Sequence, residues 1–82
     1  MKKWDDLDEA IIGTTLTYQE GERVPVYVYS GDQVVSVLMG RDGMGWFEAM
    51  EFIDFNIEGM YIGKDTPLVM WDLPYDWEER EL

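Results

Sequence analysis

The chain has 82 residues, 18 of them acidic and 6 basic, for a formal charge of -12, and it contains neither cysteine nor histidine. Disulfides and ordinary zinc, haem and iron–sulfur sites are thereby excluded. A field of this sign repels nucleic acid and anionic membranes and favours basic partners.

The composition nevertheless predicts a folded chain. Hydrophobic residues make up 46% and aromatic residues 15%, more than a disordered acidic tail carries. One domain with one small core is expected, stabilised by packing alone. No apolar run approaches the roughly 20 residues that span a bilayer. The start, Met1-Lys2-Lys3-Trp4-Asp5-Asp6, turns acidic after two lysines, unlike a signal peptide. A soluble, cytoplasmic protein is the expectation.

In chain order, residues 1–9 read as a charged lead-in. Ala10 to Tyr18 is β-branched and partly alternating, hence strand-like, and Gln19-Glu20-Gly21-Glu22-Arg23 reads as a hairpin turn. Val24 to Tyr29 is the clearest strand. Its valines 24, 26 and 28 share one face and Tyr27 and Tyr29 the other; Pro25 suggests an edge or a strand start. Ser30 and Gln33 match a capping box, predicting a helix through Met39 that stops at Gly40. A second helix is predicted from Trp46 to Ile57, ending at Gly59. Trp46, Met50, Ile53 and Ile57 form its apolar stripe, bordered by Ala49. Met60-Tyr61-Ile62 reads as extended, Gly63 to Pro67 as a turn and Leu68 to Trp71 as a final strand. Residues 72–82 form an acidic aromatic tail.

The order β-β-α-α-β predicts a small α+β domain over residues 10–71. A three-stranded, mostly antiparallel sheet would carry the helical pair on its valine face, leaving the tyrosine face to be covered by something else.

The stretch Arg41-Asp42-Gly43-Met44, then Glu48-Ala49, then Phe55-Asn56-Ile57-Glu58-Gly59-Met60-Tyr61-Ile62-Gly63, then Thr66-Pro67, resembles a family of short uncharacterised phage and bacterial proteins. Those proteins share an R-D-G-M, E-A, F-N-x-x-G-x-x-G and T-P order, often after a segment like Asp8-Glu9-Ala10-Ile11-Ile12-Gly13. The resemblance covers most of residues 8–70 and implies a phage or prophage setting. It implies no activity, cofactor or catalytic residue. The chain departs from the pattern at Gly45-Trp46-Phe47 and in the tail after Trp71.

Catalysis is not expected. Ser30, Ser36 and the threonines lack a histidine base, and Ser30 reads more simply as a helix cap. The carboxylate pairs lie in segments expected to be exposed, without the burial that tunes an acid or base. The acidic segments lack the order of a calcium loop, and the glycine-spaced segments lack the residues of a phosphate loop. No cofactor or metal is expected.

Binding is the expectation that remains. Glu48, Glu51, Asp54, Phe55 and Glu58 project away from the stripe of the second helix. They form either a solvated acidic face, with its phenylalanines tucked under neighbouring strands, or an acidic patch with aromatic anchors. After Asp72, in the tail, Tyr75 and Trp77 alternate with Asp76, Glu78, Glu79 and Glu81. These rings either fold back over the tyrosine face or dock in a basic groove. Asp5, Asp6, Asp8 and Glu9 complete the acidic clusters.

The expected function is therefore a phage-type inhibitor whose carboxylates stand where phosphates would. Its partner would be the basic surface of a nucleic-acid-handling host protein, in the manner of a DNA mimic with an anti-CRISPR or anti-restriction role. Direct contact with nucleic acid or membrane is not expected. The alternative is an adaptor or homo-oligomeric module using an aromatic face, its charge serving solubility. Monomer and homodimer both remain open.

Overall fold

In a computed structural model, which describes residues 1–73, two strands, two helices and a short third strand follow one another. They are β1 (Ile11–Gln19), β2 (Glu22–Ser30), α1 (Gly31–Arg41), α2 (Trp46–Ile53) and β3 (Leu68–Met70). A 3-10 turn at Asp8–Ala10 leads into β1, and a π turn at Asp54–Glu58 extends α2. The α+β class and the element order match the expectation.

β1 and β2 pair antiparallel through a two-residue loop, Glu20–Gly21, in which both residues have positive φ, 53° and 85°. That is type I′ geometry, whose twist suits a hairpin. The pair closing such a loop, Gln19 and Glu22, is hydrogen-bonded. Alternation then makes Thr17–Val24 and Thr15–Val26 bonded pairs, and Tyr18–Arg23, Leu16–Pro25 and Thr14–Tyr27 non-bonded ones. Pro25, with no N–H to donate, thus occupies a position whose nitrogen faces away from β1. On its other side β3 pairs only with Val28 to Ser30, so the proline interrupts neither ladder. A bulge between Ile11 and Gly13 ends the hairpin's regular register.

The sheet has the order β1-β2-β3, and β3 runs parallel to β2, so it is mixed rather than mostly antiparallel. The reason is the path of the chain. β2 passes directly into α1, and the helical pair ends near the start of α1, where Glu58 meets Trp71. Residues 59–67 then run back to the hairpin loop, where Tyr61 meets Glu20 and Gln19 holds Asp65 and Thr66, so β3 enters the sheet alongside β2 in the same direction.

The helices pack on the tyrosine side of β2, not on the valine side. Tyr29 is fully buried in one cluster with Val34, Val35 and Leu38 of α1 and Ala49 and Ile53 of α2. A tyrosine buries more apolar area than a valine, provided its hydroxyl finds a partner. Here the hydroxyl accepts the N–H of Trp4 at 3.0 Å, and the two rings lie 4.9 Å apart. Leu7 and Ala10 are buried in the same cluster, so the core begins within residues 1–9. Val24 and Val26 are buried outside that cluster. Gln19 anchors the loop before β3. Its Oε1 accepts the N–H groups of Asp65 and Thr66 at 2.6 and 3.2 Å, and its Nε2 donates to the Thr66 carbonyl at 2.8 Å.

α1 starts where expected, with Ser30 Oγ accepting the Gln33 N–H at 3.2 Å. It continues through Gly40 to Arg41. The reversal comes at Gly43, whose φ of 71° lets the Met44 N–H return to the Leu38 carbonyl at 3.2 Å. Along α2, Ala49 and Ile53 are buried and Met50 is half-buried, whereas Trp46 is exposed. The buried stripe is therefore Ala49, Ile53 and Ile57, because the small alanine permits the close approach that a tryptophan would prevent.

Candidate interaction surface

Three groups of expected site residues fall within the described chain. Asp5, Asp6, Asp8 and Glu9 are all exposed. With Lys3, Trp4 and Arg41 they line an open depression of about 600 Å³. Trp4 and Leu7 point into the core and Ala10 closes the turn, which forces the intervening carboxylates outward. Arg41 organises the group from the end of α1. It donates to the Asp6 carbonyl, to the Asp42 carboxylate at 3.0 and 3.3 Å, and lies 3.9 Å from Glu9. The hydrogen bond from Arg41 chiefly holds the Asp42 carboxyl below the usual carboxylate range. Lys3 pairs with Asp8 at 3.3 Å.

The second group lies on α2 and the π turn. Glu48, Glu51, Asp54 and Glu58 are exposed. Phe47 and Phe55 are 77% and 74% exposed, and only Phe52 is half-buried. On a helical wheel Glu51 and Asp54 flank Phe47, so acids and rings share one outward arc. The Trp46 ring meets the Phe47 edge at 5.0 Å and an interplanar angle of 81°. The phenylalanines at 47 and 55 are thus not covered by strands within the described structure.

The third group forms around Trp71. Its indole lies over Gly31 at the start of α1 and donates to Glu58 at 3.0 Å. The neighbouring Asp72 N–H donates to Asp32 at 3.0 Å. Glu58, Asp32 and Asp72 are therefore drawn to the amino-terminal end of α1, while the Arg41 group sits at its carboxy-terminal end. An 11-residue helix separates the two by about 15 Å, at 1.5 Å per residue. The Arg41 and Trp71 groups do not merge; they lie at opposite ends of α1, while Glu58 joins the α2 arc to the Trp71 group. Tyr75, Asp76, Trp77, Glu78 and Glu79 lie outside the described residues.

Sequence reasoning missed Asp32 and the organising part of Arg41. Arg41 had a signal, since it is the only basic residue between Val24 and Gly63. It also missed the exposed apolar residues of the hairpin, Leu16 and Tyr18, which are 59% and 68% exposed. Arg23 sits over the Tyr18 ring at 5.2 Å.

Among the described residues no helix is long and apolar enough to cross a membrane. Comparison of the chain with protein-family models, curated proteins and solved structures returned no match.

Proposed function

We propose that this is a non-enzymatic, phage-type inhibitor that binds the basic surface of a nucleic-acid-handling protein in the cytoplasm of a bacterial host. The observation that carries the reading is the arc of α2, where exposed carboxylates at Glu48, Glu51 and Asp54 alternate with exposed rings at Phe47 and Phe55. Solubility alone needs the charges but not the rings. Charge steers encounter with a basic cleft, and buried aromatic anchors then supply affinity.

Further support comes from how few carboxylates are neutralised. Among the described residues only Asp8, Glu9, Glu22 and Asp42 lie in ion pairs. A surface of free carboxylates offers a DNA-binding cleft the spaced negative charge it is built to hold. The phage setting belongs to the proposal and rests only on the sequence pattern of residues 41–63.

The test is an affinity capture from bacterial lysate, washed at graded salt with and without duplex DNA. A partner released both by duplex DNA and by rising salt is expected. A partner held equally at all salt concentrations and indifferent to DNA would overturn the reading.

A further inference from the structure

We infer that the outer edge of β1 is a docking site for an extended peptide segment of the partner, with an uncharged β-branched core and lysine or arginine at both ends. The inference rests on the reading above in one respect, that the partner is basic.

The edge is open. β1 pairs with β2 on one side, and among the described residues no strand lies on the other. The bonded pairs of the hairpin direct the backbone groups of Thr15 and Thr17 inward, so those of Thr14, Leu16 and Tyr18 face outward, with no partner strand among the described residues. Their side chains are exposed as well.

The edge is also unguarded. Natural edge strands are blunted by charges, proline, shortness or bulges. The nine residues of β1, Ile-Ile-Gly-Thr-Thr-Leu-Thr-Tyr-Gln, contain no charge and no proline, in a chain with 24 charged residues among 82. The one bulge lies at the Ile11 end and leaves Thr14 to Gln19 regular. Main-chain pairing would provide affinity, and the side chains opposite Leu16 and Tyr18 would provide selectivity.

Charge decides the occupant. The edge begins just after Asp8 and Glu9 and ends at Glu20, and all three are exposed. Lys3 and Arg41 offset part of the first pair; at the other end Glu20 accepts a hydrogen bond from the neutral Tyr61 hydroxyl, and Arg23, over the Tyr18 ring, offsets part of its charge. A second copy paired antiparallel would set its own Asp8 and Glu9 beside Glu20, at both ends of the ladder. Like charges oppose that arrangement, and basic flanks on a foreign strand complement it.

The probe is a synthetic peptide of alternating valine and threonine with two lysines at each end, added to isotope-labelled protein and followed by amide hydrogen exchange. The amides of Thr14, Leu16 and Tyr18 should slow by at least tenfold, while those of Thr15 and Thr17 change little. Leu16→Pro removes an outward N–H opposite Pro25 without costing an inter-strand bond, and Leu16→Lys places a charge on the edge. Both should keep the wild-type circular dichroism spectrum and bind the peptide at least tenfold more weakly, as should a glutamate-flanked peptide to the wild type. Unchanged binding by both variants, protection elsewhere, or equal binding of the glutamate-flanked peptide would overturn the inference. So would protection of the same amides that rises with protein concentration alone, which would make the occupant a second copy. If both variants still capture a DNA-competed partner undiminished, the edge inference fails and the acidic-surface reading stands. If no such partner is captured while the peptide protects the edge, the reverse holds.

Discussion

Adding one methyl group at Gly31 tests how the β3 end of the domain is closed. A Cβ at this position falls 2.6 Å from three ring carbons of Trp71, against an ordinary carbon contact of about 3.5–4.0 Å. In Gly31→Ala the indole must retreat by about 1 Å or more, which pulls its Nε1 from the 3.0 Å bond to Glu58. Overpacking of this kind costs about 1–3 kcal/mol, and the better helix propensity of alanine offsets less than about 1 kcal/mol of it. The net loss is about 1–2 kcal/mol. At about 4–8 °C per kcal/mol for a domain of this size, Tm should fall by about 4–16 °C. Thermal melts by circular dichroism measure the shift, and tryptophan emission should move to the red as Trp71 becomes solvated. In a Trp71→Ala background the same glycine change should be neutral or slightly stabilising, which a double-mutant cycle reads directly. A Tm for Gly31→Ala at or above the wild type, or an equal loss in both backgrounds, would refute the assignment of Trp71 as the ring that closes on α1.

Two contrasting glycines extend the reasoning. A Cβ at Gly59 would meet the Asp54 backbone carbonyl at 2.5 Å, where no side chain can yield, so Gly59→Ala should lose about 1–3 kcal/mol in denaturant melts. Gly40, in the exposed interior of α1, has nothing within 4 Å, and Gly40→Ala should gain about 0.5–1 kcal/mol. Tyr29→Phe removes the acceptor of the Trp4 N–H and should cost about 1 kcal/mol in the same melts. Burial, above all, raises the Tyr29 phenol above its ordinary value of 10.0, against the lowering effects of the Trp4 hydrogen bond and Lys3, with Asp8 adding to the rise. A raised folded pKa means a contribution fully present below about pH 10 and lost as pH rises through the folded value. Stability measured from pH 9 to 12 should therefore fall less steeply in Tyr29→Phe than in the wild type. An identical slope would remove Tyr29 as a source of alkaline unfolding.

The parts of the fold legible in the sequence were those set by local rules. Ser30 capped α1 because a hydroxyl three residues before a free N–H satisfies it without tertiary help. Glu20-Gly21 made a turn because glycine tolerates the positive φ that a two-residue loop requires. The end of α1 was misplaced by one plausible breaker, since Gly40 is helical and Gly43 is the residue that reverses the chain. For the candidate surface, helical spacing was enough to set Glu48, Glu51, Asp54 and Phe55 on the outside. It misjudged Trp46, because spacing does not weigh the size of a side chain against the room between two packed helices.

Composition alone excluded disulfides and cysteine- or histidine-ligated metal sites, and set the net negative charge. Period and punctuation determined its five elements and their order. Which face of β2 met the helices was decided only in three dimensions, because both faces are apolar and the choice depended on Trp4 reaching the Tyr29 hydroxyl from 25 residues away. Tertiary structure likewise made β3 parallel, because residues 59–67 return to the hairpin loop and are held there by Gln19 and Glu20 before β3 begins, and set the Arg41 and Trp71 groups of acids at opposite ends of α1. It also left β1 at the edge of the sheet. The sequence shows that this strand is charge-free; only the sheet order shows that, among the described residues, no neighbouring strand takes up its outer hydrogen bonds.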